Sequence, residues 1–160
     1  MNPIKRSYGA VAIPVTQRGT ILAIPYLDEN HGKKEGLAWA GETKDAVGMQ
    51  YPGGASNDET ETTLNTITRE WEEETKFKVE KERFEQLPIG TAILQEGGSR
   101  GKIWFGVELF RLILTDAEEF KLRENGAVEI NQGNDVRLRP RDEVIGELYF
   151  ATHGNMETMV

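Results

Sequence analysis

Three glutamates, Glu70, Glu73 and Glu74, stand three and four residues apart in the run Arg69-Glu70-Trp71-Glu72-Glu73-Glu74. At roughly 100° per residue in a helix, they project into one sector of about 100°. Glu72 projects well away from that sector and is expected to face solvent. Like charges so spaced destabilise an isolated helix by about 0.2 to 0.5 kcal/mol per pair. A divalent cation reverses that sign, because magnesium and manganese favour carboxylate oxygens, keep some waters and are shared with substrate phosphates. Glutamate is also a good helix former, and an acidic run taken alone is usually a solvated helix face. The glycine pair upstream, Pro52-Gly53-Gly54, shifts the balance toward chemistry. Glycine opens backbone conformations closed to other residues and lets carbonyls or amides approach a metal or phosphate closely.

The helix that must carry these carboxylates is expected from about Glu59 to Lys76. Leu64, Ile67 and Trp71 fall within about 60° of one another and form its buried stripe, with the carboxylate sector beside it. Strand-like runs surround the helix. Ser7 to Val15 and Thr20 to Leu27 read as a hairpin turning at Gln17-Arg18-Gly19, with Pro14 and Pro25 suited to strand ends or edges. Leu37-Ala38-Trp39-Ala40 and Met49-Gln50-Tyr51 read as short strands separated by polar loops. Leu87 to Leu94 and Ile103 to Leu114 follow the helix, Arg123 to Asn134 reads as a long loop or irregular hairpin, and Glu143 to Ala151 as a last strand. This order predicts a mixed-sheet α/β or α+β domain occupying residues 1–160.

Composition narrows the function. The 160 residues suit one core, and 38% hydrophobic content with 6 Phe, 4 Tyr and 3 Trp is enough to fill it without crosslinks. A net charge of -8 is the wrong sign for holding a DNA duplex through its backbone. Any phosphate bound here needs a metal or a local basic cluster. The lack of cysteine excludes disulfides, thiolate zinc sites and cysteine nucleophiles. No apolar run approaches the roughly 18 residues that span a bilayer, and the start lacks a signal peptide's apolar stretch. The expectation is a soluble, cytoplasmic protein without a membrane partner.

Gly54, Glu61, Arg69, Glu70, Trp71, Glu73 and Glu74 together resemble the Nudix box: glycine, five residues, glutamate, seven residues, then Arg-Glu-apolar-any-Glu-Glu-any-Gly-apolar. The Glu61 to Arg69 spacing matches. Two departures stand out: six residues separate Gly54 from Glu61, and Lys76 occupies the place of the last glycine. An extra loop residue leaves the helix phase untouched, whereas one between Glu61 and Arg69 would rotate the carboxylates by about 100°. Lys76 requires either a left-handed conformation or a differently ended helix.

The resemblance implies a Nudix fold, a mixed sheet sandwiched with helices, with a catalytic strand-loop-helix at about 48–77. It implies Glu70, Glu73 and Glu74 as ligands of magnesium or manganese, joined by the backbone carbonyl near Gly54, and an ion pair between Glu61 and Arg69 that holds the loop on the helix. Gly53 and Gly54 would approach the substrate. The general base would be a helix glutamate or one from a later loop, with Glu118 and Glu119 as the later candidates and Glu96 behind them. Trp39 and Tyr51 could stack a nucleobase, although aromatics in short strands are more often core. Arg100 and Lys102 could meet phosphate, although a basic pair beside glycines is commonly a solvated turn. Arg137, Arg139 and Arg141 alternate along an extended segment and could meet substrate phosphate or RNA, although a surface strand is the commoner reading, and His31 and His153 lack partners for a zinc site. The implied activity is metal-dependent hydrolysis of a diphosphate linkage in a nucleoside diphosphate joined to another group: a nucleoside triphosphate, a nucleotide sugar, a dinucleoside polyphosphate or a capped RNA end. The alternative is a Nudix-fold nucleotide-binding or regulatory module without catalysis. Retention of all three carboxylates favours the enzyme. The sequence leaves the oligomeric state open, a homodimer included.

Overall fold

The computed structural model describes residues 5–27, 46–58, 60–96, 102–131, 135–138, 142 and 145. They group into two compact units, Met1–Ile13 with Pro52–Leu112, and Pro14–Tyr51 with Ile113–Val160. The architecture is α+β, with a mixed sheet and, among the described residues, two helices traced from end to end.

In the first unit, strand β1 (Lys5–Val15) carries the short β4 (Gly53–Ala55) antiparallel to it, with Gly9 opposite Ala55, Ala10 opposite Gly54 and Val11 opposite Gly53. The pairing needs a glycine at 53. An added Cβ there would stand 2.4 Å from the Ala10 carbonyl oxygen. Helix α1 (Thr63–Thr75) follows. It starts later than the sequence suggests, because two side chains divert the chain ahead of it. Asp58 accepts from the N–H groups of Thr60 (2.7 Å) and Glu61 (3.1 Å), and Thr62 caps the helix by accepting from Asn65 N–H at 3.1 Å. Ile67 and Trp71 are fully buried as the projection requires, while Leu64 is only half-buried. Trp71 meets Phe77 and Phe84 edge to face, each at 5.9 Å between ring centres. At the helix end Lys76 takes the left-handed conformation (φ 68°), its N–H returning to the Glu72 carbonyl at 2.9 Å. A 3-10 turn (Lys81–Arg83) leads to the antiparallel hairpin of β5 (Glu85–Glu96) and β6 (Lys102–Ile113). Its register breaks between Gln86 and Gly90, around Pro88, which has no N–H to give to a ladder.

In the second unit, β1 ends and turns through Gly19 (φ 85°) into β2 (Ile21–Leu27), with Thr16 N–H bonded to the Thr20 carbonyl at 2.8 Å. Strand β2 pairs antiparallel with β3 (Ala46–Gln50) and with β7 (Val128–Ile130). Pro25 sits inside β2 opposite Met49, not at an end. The ladder tolerates it through a register shift between Pro25 and Leu27. Met49 also bridges Leu138 in parallel.

Three expectations fail here. Helix α2 (Asp116–Glu124), which no apolar periodicity predicts, opens with a capping box in which Thr115 and Glu118 satisfy each other's backbone N–H groups. The expected loop from Arg123 to Asn134 contains the end of α2, a turn at Gly126 (φ 99°) and β7. Ile145, inside the expected last strand, is helical and buried, and the rest of that run lies outside the described residues. The expected strand at residues 37–40 also lies outside them. No helix among the described residues is long and apolar enough to cross a membrane.

Candidate functional site

The site is assembled where α1 lies along β4. Gly54 faces the helix so closely that an added Cβ would come within 2.5 Å of the Glu70 carboxyl carbon. Gly53 donates its N–H to Glu74 Oε2 at 3.1 Å. The two glycines thus receive two of the three helix carboxylates along one short strand.

Arg69 organises the remainder. Its Nε donates to Glu61 Oε2 (3.1 Å), Nη2 to Glu61 Oε1 (2.9 Å) and the Ala55 carbonyl (3.1 Å), and Nη1 to Glu70 Oε1 (2.9 Å) and Glu73 Oε1 (3.4 Å). A guanidinium has five N–H groups, and each finds an acceptor. The Glu61–Arg69 contact is bidentate and closes because the chain at Glu61 is a turn and not helix, as their spacing demands. Glu61 is held further by the Asn57 N–H (2.9 Å) and the Thr66 hydroxyl (2.9 Å). The Arg69 guanidinium, and after it the Asn57 amide, hold the Glu61 carboxyl down at about 2. Arg69 is itself raised by its bonds to Glu61 and Glu70.

Glu70 behaves in the opposite sense. Burial raises its carboxyl pKa, and the Glu73 charge adds to that, while Arg69 works against both. A half-buried carboxylate pressed on Gly54 beside a second negative charge shares the Arg69 guanidinium with Glu61 and Glu73 and would be stabilised by further positive charge. A hard divalent cation would supply it, and the donor set of three carboxylates with the Gly54 carbonyl is chemically suited to one. As the side chains stand, no three acidic or histidine side chains among the described residues converge closely enough to hold a metal ion. Glu73 is 56% exposed and turned to Arg69. The trio lines one side of the helix without closing into a cluster. Glu72 is exposed, as its projection requires.

The later base candidates have local partners of their own. Glu118 accepts from Thr115 N–H at 2.9 Å in the capping box. Glu119 is buried against Arg18 (3.0 Å) and Arg123 (2.8 Å). Burial tends to raise the Glu119 carboxyl, yet Arg123 and Arg18 together hold it below its ordinary range. Tyr51 is fully buried and belongs to the core. Trp39, Arg100, Arg139, Arg141, His31 and His153 lie outside the described residues. Lys102 opens β6 opposite Glu96. The Arg137 guanidinium is taken up by Asp135 (3.0 and 2.7 Å) and the Glu129 carbonyl (3.0 Å). Sequence reasoning missed Ser56, Asp58 and Thr66, which shape the turn ahead of α1. Only the Asp58-Glu59-Thr60 turn chemistry could have signalled them.

A structure of a mutT/nudix family protein from Listeria innocua superposes with a TM-score of 0.62 at 19% identity, covering 94% of this chain and 95% of that one. The chain has the Nudix fold. The E. coli ORF135 protein shares it at a TM-score of 0.58 and 18% identity, with 96% of each chain covered. So does a bifunctional NMN adenylyltransferase/ADP ribose pyrophosphatase from Francisella tularensis, solved with AMP and a manganese ion (TM-score 0.54, 16% identity), where 94% of this chain matches 43% of that one. No family model and no curated protein sequence matches the chain. Within the Nudix fold described here, the strand-loop-helix of β4 and α1 holds the residues that the box pattern singles out.

Proposed function

We propose that this Nudix-fold chain is a single-domain, metal-dependent pyrophosphohydrolase that cleaves the diphosphate linkage of a nucleoside diphosphate joined to another group. The observation that carries the reading is the seating of Glu70 on Gly54 and Glu74 on the Gly53 amide, beside an arginine that Glu70 shares with Glu61 and Glu73. Glu70, Glu73 and Glu74, with the Gly54 carbonyl, would hold magnesium or manganese. When bound, that metal supplies charge to the phosphoryl oxygens and acidifies water. Arg69 keeps Glu70 and Glu73 oriented, Glu61 keeps Arg69, and the Gly53-Gly54 strand lets Glu70 and Glu74 close on its backbone. A carboxylate on α1 is the proton acceptor for the attacking water. Glu118 and Glu119 would each have to surrender a local bond to act in that way.

The test is a panel of nucleoside triphosphates, nucleotide sugars, dinucleoside polyphosphates and capped RNA, with products weighed by mass spectrometry with and without magnesium. Cleavage between phosphates in one or more of them, abolished by chelation, is expected. No cleavage of any of them would sink the hydrolase reading and leave the non-catalytic nucleotide-binding module.

A further inference from the structure

Thr66 is a fully buried threonine inside α1, where alanine would be the better helix former. Its hydroxyl makes three contacts: Glu61 Oε1 at 2.9 Å, the Thr62 carbonyl at 3.0 Å and Ser56 Oγ at 2.7 Å. A hydroxyl has one proton to give. The charged carboxylate is the stronger acceptor, so the proton goes chiefly to Glu61, and Ser56 donates to Thr66 in turn. Three donors meet at Glu61 Oε1: Asn57 N–H, Arg69 Nη2 and Thr66, each at 2.9 Å. Asn57 lies in an exposed turn, and Arg69 is the group to be aimed. Thr66 alone of the three is buried in the helix that also bears Glu70, Glu73 and Glu74. It therefore refers the loop carboxylate to the same rigid frame as the helix carboxylates.

We propose that Thr66 is a positioning residue of this site, its hydroxyl fixing the Glu61 carboxylate that aims Arg69 at Glu70 and Glu73. The effect on turnover rests on the hydrolase reading above; the effect on the loop does not. Thr66→Val keeps the shape and removes the hydroxyl, Thr66→Ala removes both hydroxyl and methyl in a better helix former, and Thr66→Ser keeps the hydroxyl. On whichever nucleotide the panel shows to be cleaved, at saturating magnesium, Thr66→Val and Thr66→Ala should each lower kcat about tenfold with KM within about twofold, the scale for groups that orient a metal site's ligands. Hydrogen exchange at the Asn57 amide should speed up about tenfold in both. Thr66→Ser should stay within about twofold of the parent in rate and exchange.

Wild-type kcat in Thr66→Val and Thr66→Ala overturns the assignment. So does a Thr66→Ser variant as impaired as Thr66→Val, because a hydroxyl at this position would then not suffice to hold Glu61. Should Thr66→Val not fold, Thr66→Ala decides alone. If the parent cleaves nothing in the panel, the hydrolase reading has failed and exchange at Asn57 decides: an unchanged rate in Thr66→Ala overturns the link from Thr66 to Glu61.

Discussion

Helices α1 and α2 each hold an arginine–glutamate network, and the two networks differ in their charge balance. On α2 the count is even. Arg18 and Arg123 each bridge Glu119 and Glu129, at 2.8 to 3.0 Å, in a closed ring to which Thr20 adds a hydroxyl. Among the described residues, a single arginine on α1 faces Glu61, Glu70 and Glu73, and Glu74 accepts from the neighbouring Gly53 amide. A balanced ring spends its charges on its own members and joins three chain segments. An acid-rich network retains the capacity to attract a cation, and that difference separates a brace from a candidate catalytic site.

Breaking the comparison at its strongest point means neutralising one carboxylate on each helix. Glu73→Gln or Glu74→Gln should lower nucleotide hydrolysis by about two orders of magnitude with the fold intact. Glu119→Gln should leave hydrolysis near the parent's and lower stability by about 1 to 2 kcal/mol in a denaturant melt, because it removes the charge that two arginines share. Equal losses of activity on both helices would erase the distinction. Glu72→Gln, on the solvent side of α1, serves as the control and should change little.

Arg69→Ala comes next in size. It strips one cation from two half-buried carboxylates, Glu61 and Glu70, and should cost about 2 to 4 kcal/mol, toward the scale for broken buried pairs. Adding Glu61→Gln should recover part of that stability but not catalysis, and strictly additive losses in melts of the single and double variants would show that the two residues do not interact.

Acid sharpens the contrast further. The Glu61 carboxyl sits at about 2 in the fold, held there first by Arg69 and then by the Asn57 amide. A lowered carboxylate contributes stability that is present above its ordinary value near 4.5 and fades as pH falls from there toward 2. The denaturant midpoint should therefore drop through that window, and Glu61→Gln should flatten part of the slope. The smallest expected effect is a gain. Lys76 holds a left-handed conformation that glycine adopts without strain, so Lys76→Gly should raise stability by about 1 kcal/mol, read as a higher midpoint with unchanged turnover.

The same contrast explains what the sequence could tell. Helix α1 was legible because Leu64, Ile67 and Trp71 repeat at helical spacing and the acidic positions form a long, rigid pattern beside them. The Glu61–Arg69 pair was legible through the resemblance to the Nudix box, and eight residues of continuous helix would hold the two apart, so the pair required Glu61 to lie off the helix. Helix α2 was not. It buries Leu122 beside a charged Glu119 while Phe120 is 64% exposed, so no apolar stripe marks it, and its clearest mark was the Thr115 and Glu118 capping box. The late start of α1 was hidden for a related reason. Whether Thr60 to Thr62 continue a helix is decided by side-chain bonds from Asp58 and Thr62, which periodicity does not register. Nor could spacing show that Glu73 turns to Arg69 and leaves the trio open.

Gly54 leaves a mark that heredity itself can reveal. Every missense change in a glycine codon adds at least a Cβ, and at this position a Cβ falls on the Glu70 carboxyl. A library of random point changes selected for retained activity should thus return codon 54 almost unaltered, next to a freely varying codon 72, and the depletion would report the clearance between strand and helix without any further structure being solved.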